Sequence, residues 1–386
     1  MLEIEKLVYG GAGLARENGK VWLVPMTAPG DIVEAEPLRD RGNMIEGILK
    51  AVIKPSDTRR EPPCPWYSIC GGCQLQHMNY EAQFESRKGF VIESLKRAGI
   101  ELKCDIEFIP APMEFGYRNR VQMAVRDGKT GFLKRHSNEI IEIDKCPALL
   151  PKLDGSIGRI REYVKKAGPR TFPMGQVFAA AGEDGDIAVE PSVGSDFKKE
   201  VGWTVGEIGF KFAPDIFFQA NALLLEPFWS VVKEGAGGGN CAVDMYSGVG
   251  FFTLALARTF KNVVAVEESR PTAAFGRNAA KAAGIGNVRI LASRVEELAV
   301  EDFDAKPDLV LADPPRAGLS KKAFQIAAGL DAERIVYISC DPASLARDVK
   351  KFYDRGWAPS RVVVLDMFPQ TYHVEIVVFM EKRREE

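Results

Sequence analysis

Between about residue 215 and residue 339 the chain alternates five-residue apolar runs, at 242–246, 263–267, 288–292, 309–313 and 335–339, with longer polar-and-apolar stretches. Two of those stretches, 269–283 and 321–330, carry apolar residues at helical spacing. A strand that is apolar along its whole length is covered on both faces, and parallel neighbours need a crossover segment between them. This alternation therefore predicts an α/β fold built on a doubly wound parallel sheet. Two more runs, 361–365 and 374–380, follow with little chain between them and are expected to end the sheet as a hairpin. Ligands of such sheets bind beyond the carboxyl ends of the strands, so those ends are where chemistry is expected.

Four of the ends carry something unusual. The first reads Asp244-Met-Tyr246-Ser247-Gly248-Val-Gly250-Phe251-Phe-Thr253, with two glycines that let backbone approach a ligand at the head of a helix. A dinucleotide fingerprint needs a third glycine where Thr253 stands. The second run ends at Glu267, 23 residues after Asp244 and suited to accepting hydrogen bonds from ribose hydroxyls. That combination fits the adenosyl cofactor of class I methyltransferases better than a pyrophosphate cofactor. The fourth run ends in Asp313-Pro-Pro-Arg316-Ala-Gly318, with an arginine where amino-methylating enzymes carry an aromatic residue. The fifth ends in Ser339-Cys340-Asp341-Pro342, where the turn at Asp341-Pro342 exposes a cysteine that would otherwise be a core residue. Glu375 stands alone in the apolar run VEIVVF, either as a reactive carboxylate or as an edge-strand charge that discourages aggregation.

The first 54 residues read differently. Strand candidates at 7–9, 21–25, 31–37 and 46–53 are separated by Gly10-Gly11, Asn18-Gly19 and Pro29-Gly30, the pattern of a small OB-like β-barrel. A Pro-rich charged linker follows, and then Cys64, Cys70 and Cys73 crowd together. C-x5-C-x2-C is a metal-ligand spacing, and a fourth thiol, Cys146, lies 73 residues beyond Cys73. Four thiolates suit zinc or an iron–sulfur cluster, and spacing does not choose between them. Cys104 and Cys241 read as core residues. Asn79 is placed to cap a helix that Gly99 stops. Residues 105–214 alternate strand-like runs with turns and read as a β-rich middle unit. Net charge is only -2, but residues 110–170 hold 13 Lys and Arg against 7 Asp and Glu, a local basic surface suited to phosphates. No apolar run is long enough to span a bilayer and no signal pattern opens the chain, so a cytoplasmic, monomeric protein without a membrane partner is expected.

Taken together these motifs resemble the RNA 5-methyluridine methyltransferases, which modify uridines in tRNA and in 23S rRNA. The likeness runs through YGGAGLAR, GKVWLVPMTAPGD, Tyr117-Arg118-Asn119-Arg120-Val121, GFLKRHSNEIIEIDKCP, FFQAN, DMYSGVGFFTLALA, DPPRAG, SCDPASLARD and HVEIVVF, in that order. The resemblance implies a class I (Rossmann-like) methyltransferase domain at the C-terminus, an N-terminal TRAM barrel over 1–54, and a central iron–sulfur and RNA-binding domain over 55–75 and 105–214. Residues 76–104 and 215–386 then form the S-adenosylmethionine-dependent methyltransferase domain. Cys340 looks like the family's nucleophile and Glu375 like its general base. Gln219, Tyr246, Glu267 and Asp313 match cofactor-contacting positions, and Cys64, Cys70, Cys73 and Cys146 match ligands of a [4Fe–4S] cluster. Tyr117, Arg118 and Arg120 are candidates for contacting the RNA backbone. Ser247 and Phe251 depart from the family's Cys and Asn at those positions. Substrate RNA is expected to be 23S rRNA ahead of tRNA. Competing readings are a methyltransferase for another nucleotide or small molecule, and a non-catalytic RNA-binding protein.

Overall fold

The computed structural model describes residues 1–172, 174–192, 196–303 and 306–383. Its largest sheet has eight strands in the spatial order Val288–Ala292, Phe260–Glu267, Gly239–Asp244, Leu309–Ala312, Arg334–Ser339, Glu375–Lys382, Trp357–Leu365 and Ile106–Ile109. The first five are parallel, as the alternation predicts. Alternate residues of these strands enter two separate cores. Ala242, Leu309, Leu311, Val336 and Ile338 face one side, and Val243, Val310, Ala312, Ile335 and Tyr337 face the other. Both faces are thus covered, which is why the runs are apolar throughout.

The last two runs do pair as an antiparallel hairpin, but they do not end the sheet. Glu375–Lys382 inserts between Arg334–Ser339 and Trp357–Leu365, and the short strand Ile106–Ile109 adds in parallel at the outer edge. Glu375 therefore lies on an interior strand and is 7% exposed, which removes the edge-charge explanation for it. The helix Tyr80–Arg97 forms as its signals predict: the Asn79 side chain accepts from Ala82 N, and Gly99 takes a positive φ just past the end. Its buried face packs Val91 and Leu95 into the core of the large sheet.

At the N-terminus, strands Ala12–Glu17, Lys20–Pro25, Ile32–Asp40 and Met44–Lys54 form one sheet. Residues Leu2–Glu3 pair with Ile32–Asp40, and Lys6–Leu7, a few residues on, pair with Ala12–Glu17. One continuous segment thus joins the two ends of the sheet and closes it into a barrel around Ile4, Trp22, Val24 and Val33. A further, five-stranded sheet runs Ile140–Ile141, Lys129–Leu133, Arg120–Arg126, Met174–Ala181 and Ile187–Glu190. The helix Ile157–Thr171 covers it through Ile157, Ile160 and Val164. Among the described residues, no helix is long and apolar enough to cross a membrane.

Candidate active site

The strand Gly239–Asp244 lies where the strand order reverses, and its end opens the crevice. Asp244 is buried; its Oδ2 accepts from Thr253 Oγ1 at 2.6 Å, while its Oδ1 has no partner. Burial pushes this carboxyl up to about 6, against the pull of Thr253. The chain then turns through Gly248 and Gly250, both at positive φ. The glycine at 276 matters to the same turn, because a Cβ there would meet the Val249 carbonyl carbon at 3.2 Å. Glu267, at the neighbouring strand end, accepts from Gly248 N at 3.0 Å and from Ser269 N at 2.8 Å. One carboxylate therefore holds the glycine turn and the next helix start together. Ser247 Oγ, buried beside that turn, has no partner either. A glycine turn beside two unpartnered polar atoms and an acid offers a polar cradle for a ligand.

Gln219 is buried and is held through its backbone. Asn119 Nδ2 donates to the Gln219 carbonyl at 3.0 Å, and Arg120 donates to the carbonyls of Phe218 and Pro214, both at 3.1 Å. The Arg120 guanidinium also lies over the exposed ring of Phe217. These contacts interlock the Tyr117–Val121 and Phe217–Asn221 motifs. Tyr117 is 1% exposed and donates to the Pro369 carbonyl, so it and Arg120 are engaged within the protein rather than presented to a phosphate backbone. Their neighbours in sequence pointed to RNA; only the tertiary contacts reveal an internal brace. Tyr246, half-buried at the crevice, has its phenol pushed up by burial.

Cys340 follows the last residue of the strand Arg334–Ser339. That strand pairs antiparallel with Glu375–Lys382 with Ser339 opposite Ile376, so the register carried one residue further sets Cys340 across from Glu375. The Asp341 side chain caps the following helix through Ala343 N and Ser344 N. Asp313, just beyond Leu309–Ala312 on the adjacent strand, completes the group. Burial and the negative charge of Asp313 raise the Glu375 carboxyl well above its ordinary value, and burial and Asp244 raise Asp313. Burial pushes the Cys340 thiol up to about 12; Glu375 and Asp313 add to this and Arg316 opposes it. Tyr9 of the barrel reaches the same place, where its hydroxyl donates to the Cys340 carbonyl at 3.2 Å. A linear reading marks Tyr9 only as the end of a strand candidate and the first residue of YGGAGLAR, with no hint of Cys340.

Cys64, Cys70, Cys73 and Cys146 line one cavity of about 300 Å³, together with Tyr67, Tyr117, Arg118 and Thr371. Burial, with the neighbouring thiols adding, pushes Cys73 up to about 12 and Cys146 up to about 11. Among the described residues, no group of three or more His, Cys, Asp or Glu side chains is gathered closely enough to hold a metal ion. Cys104 and Cys241 are half-buried and stand outside that cavity.

The doubly wound sheet, the glycine turn and the acid at the second strand end define a Rossmann-like S-adenosylmethionine-dependent methyltransferase. Residues 196–383 match the family model described as tRNA (Uracil-5-)-methyltransferase. The chain is 32% identical to a 23S rRNA (uracil(1939)-C(5))-methyltransferase RlmD of Pseudomonas putida, over 98% of this chain and 93% of that one. It is 30% identical to an uncharacterized RNA methyltransferase of Aquifex aeolicus, over 98% of both. Among solved structures it is similar to the Pyrococcus abyssi tRNA (uracil-54, C5)-methyltransferase in complex with S-adenosyl-L-homocysteine. That match has 26% identity and a TM-score of 0.75, and covers 98% of this chain and 100% of that one. The chain belongs to the RNA uracil-5-methyltransferase family and is an enzyme that methylates RNA, which sets aside the non-catalytic reading.

Proposed function

We propose that this enzyme methylates carbon 5 of a uridine through a covalent adduct between Cys340 and carbon 6, with Glu375 as the base that ends the reaction. Carbon 5 of uracil is a poor nucleophile on its own. Addition of the Cys340 thiolate to carbon 6 moves the ring electrons toward O4 and makes carbon 5 nucleophilic. S-adenosylmethionine, when bound, supplies a methyl group on an electrophilic sulfonium. The Glu375 carboxylate then takes the proton from carbon 5, the electrons reform the ring double bond, and the bond from Sγ to carbon 6 breaks. The strand register that pairs Cys340 with Glu375 is the single observation that carries this reading. A base held above its usual carboxylate range is also better matched to a carbon acid near neutral pH.

For the cofactor, the unpartnered Asp244 Oδ1 and Ser247 Oγ fit a polar ligand at the glycine turn. In this reading Glu267 faces the ribose, and Gln219, Tyr246 and Asp313 line the remainder. The target base must leave its stack to meet thiol and methyl in one pocket. Cys64, Cys70, Cys73 and Cys146 line one cavity and are the donor set of a [4Fe–4S] cluster; since no three of them are gathered closely enough here to hold a metal ion, they would have to draw together to hold it, with a structural role beside the RNA surface. The barrel over 1–54 is read as a TRAM domain. The unit over 55–75 and 105–214 is read as the RNA-binding and cluster domain, and 76–104 with 215–386 as the methyltransferase. Arg126 and Lys129, exposed cross-strand partners, are basic groups that unit offers to RNA, while exposed Lys134 is paired with Glu139. Likeness to the P. putida enzyme makes 23S rRNA the first substrate to test, ahead of tRNA.

The test is nucleoside mass spectrometry after incubation with S-adenosylmethionine and unmodified 23S rRNA or tRNA in separate reactions. New 5-methyluridine is expected in one fraction. Cys340→Ala is expected to lose both product and the adduct with 5-fluorouridine RNA, and Glu375→Gln to accumulate an adduct with ordinary RNA. Continued methylation by Cys340→Ala would sink the covalent mechanism.

A further inference from the structure

The barrel is joined to the catalytic loop by one side chain. Tyr9 sits at a turn whose glycines 10 and 11 both take positive φ, and Gly11 N donates to the Val8 carbonyl at 2.9 Å. Gly11 packs so closely on the loop after Cys73 that a Cβ would meet Gln74 Cβ at 3.1 Å. Leu7, on the same barrel segment, is buried with Leu75, Met78 and Phe90. The Tyr9 ring meets Tyr372 edge-on at 5.1 Å and Phe90 at 5.9 Å between centroids. Its hydroxyl is therefore delivered to a fixed point, where it accepts from Arg316 Nη2 at 3.3 Å and donates to the Cys340 carbonyl at 3.2 Å. Tyr372 is a second hydrogen-bond partner of the same guanidinium.

We propose that Tyr9 is a positioning residue for the reaction: its hydroxyl ties Arg316 to the backbone of Cys340 and so keeps the guanidinium charge facing the thiol. This rests on the reading of Cys340 as nucleophile. Two carboxylates, Glu375 and Asp313, face Cys340 and oppose its ionisation, and Arg316 is the cation that favours it. Asp341 lies on the same turn near Tyr9. His373, packed against Tyr372, is pushed down to about 4 by burial and the charge of Arg316, and so adds no positive charge near neutral pH. Arg316 is otherwise a long side chain in a turn after Pro315, with many rotamers to lose. Two phenols from different parts of the chain hold it in one of them. The barrel in this view is part of the active site as well as a surface that meets RNA.

The experiment is site-resolved alkylation of Cys340 by iodoacetamide in the full-length protein, read by peptide mass spectrometry over a pH series. RNA methylation is measured alongside. Tyr9→Phe keeps the ring between Phe90 and Tyr372 and removes only the hydroxyl. It is expected to slow alkylation of Cys340 by about 3–10-fold at fixed pH and to move its pH profile upward, as loss of part of a facing charge requires. Melting temperature and S-adenosylhomocysteine affinity are expected to stay at the wild-type value. Arg316→Lys is expected to move the profile in the same direction. A wild-type alkylation profile in Tyr9→Phe overturns the proposal, as does a defect that appears only in Tyr9→Leu, since ring packing alone would then account for it. Alkylation reports the thiolate whether or not that thiolate attacks uracil. Methylation surviving in Cys340→Ala would therefore refute the nucleophile without deciding what Tyr9 does to the thiol.

Discussion

Arg87 and Asp366 form an ion pair that is almost wholly buried, with side-chain exposures of 2% and 0%. Arg87 Nη2 donates to Asp366 Oδ2 at 2.6 Å, Arg87 Nη1 donates to the Thr371 carbonyl at 3.0 Å, and Tyr80 OH donates to Asp366 at 2.7 Å. The pair fixes the loop that leads from Trp357–Leu365 into Glu375, so stability and the placement of the proposed base are linked there. Arg87→Met leaves Asp366 buried with Tyr80 as its side-chain partner, and removing one member of a buried pair costs about 3–5 kcal/mol. If the surrounding unit unfolds cooperatively, the melting temperature falls by roughly 6–20 °C. Burial already raises the Asp366 carboxyl, and Arg87 is the first of the groups that oppose it. Without Arg87 the folded-state pKa rises further above the unfolded value of about 4. The sign follows: both states are protonated at low pH, and the loss grows as pH rises from the unfolded pKa through the raised folded one. Denaturant unfolding of Arg87→Met should accordingly show a smaller deficit near pH 5 than near pH 8. Arg87→Met with Asp366→Asn should recover most of the stability, because no buried charge is then stranded. Methylation by the single variant should fall by about 10–100-fold even at temperatures where it is folded, as a misplaced base would cause. A deficit under about 1 kcal/mol in Arg87→Met, or one that is flat with pH, would refute the reasoning.

Other outcomes follow from the same geometry. Glu267→Ala frees Gly248 N and Ser269 N together, and calorimetry should show S-adenosylmethionine binding about 10–100-fold weaker, at about 1.5–3 kcal/mol for lost bonds to a charged group; a change under threefold argues against Glu267 as the organiser of the turn. Asp313→Asn removes a negative charge that raises Glu375, so the acid limb of single-turnover methylation should move to lower pH whatever happens to its amplitude. A limb that stays put would show that Glu375 is not the group being titrated. Cys73→Ser should strip anaerobically prepared protein of broad visible absorbance and of iron, while colourless wild-type protein carrying zinc would overturn the iron–sulfur assignment.

Much of the candidate site is legible in the sequence because its signals are local. A glycine turn, an acid closing an apolar run and a cysteine before Asp-Pro are each complete within a few residues, and the alternation of buried strands with helices brings such ends to one edge of the sheet. Glu375 was legible as an anomaly, yet two explanations fitted it until the strand order put it in the interior. Pairing partners are chosen across the fold, so no feature of VEIVVF distinguishes an edge strand from a central one. Met174–Ala181 carries no strand signal in its sequence for a related reason. MGQVFAAA has the composition of a helix, and becomes a strand because Arg120–Arg126 and Ile187–Glu190 flank it.

The contacts that unite the protein are longer still. Tyr9 meets Cys340 across 331 residues, Arg87 meets Asp366 across 279, and Tyr117 meets Pro369 across 252. Each is a polar atom satisfied in a buried or half-buried place, and an isolated Tyr or Arg in a sequence carries no mark of the partner it will find. The sequence alone thus determined the class of fold and the chemistry offered at its strand ends, since periodicity and short motifs encode both. Tertiary structure decided that Cys340 faces Glu375, that four cysteines share one cavity and that a barrel residue touches the backbone of Cys340, because burial leaves each of those groups only the neighbours that the fold provides.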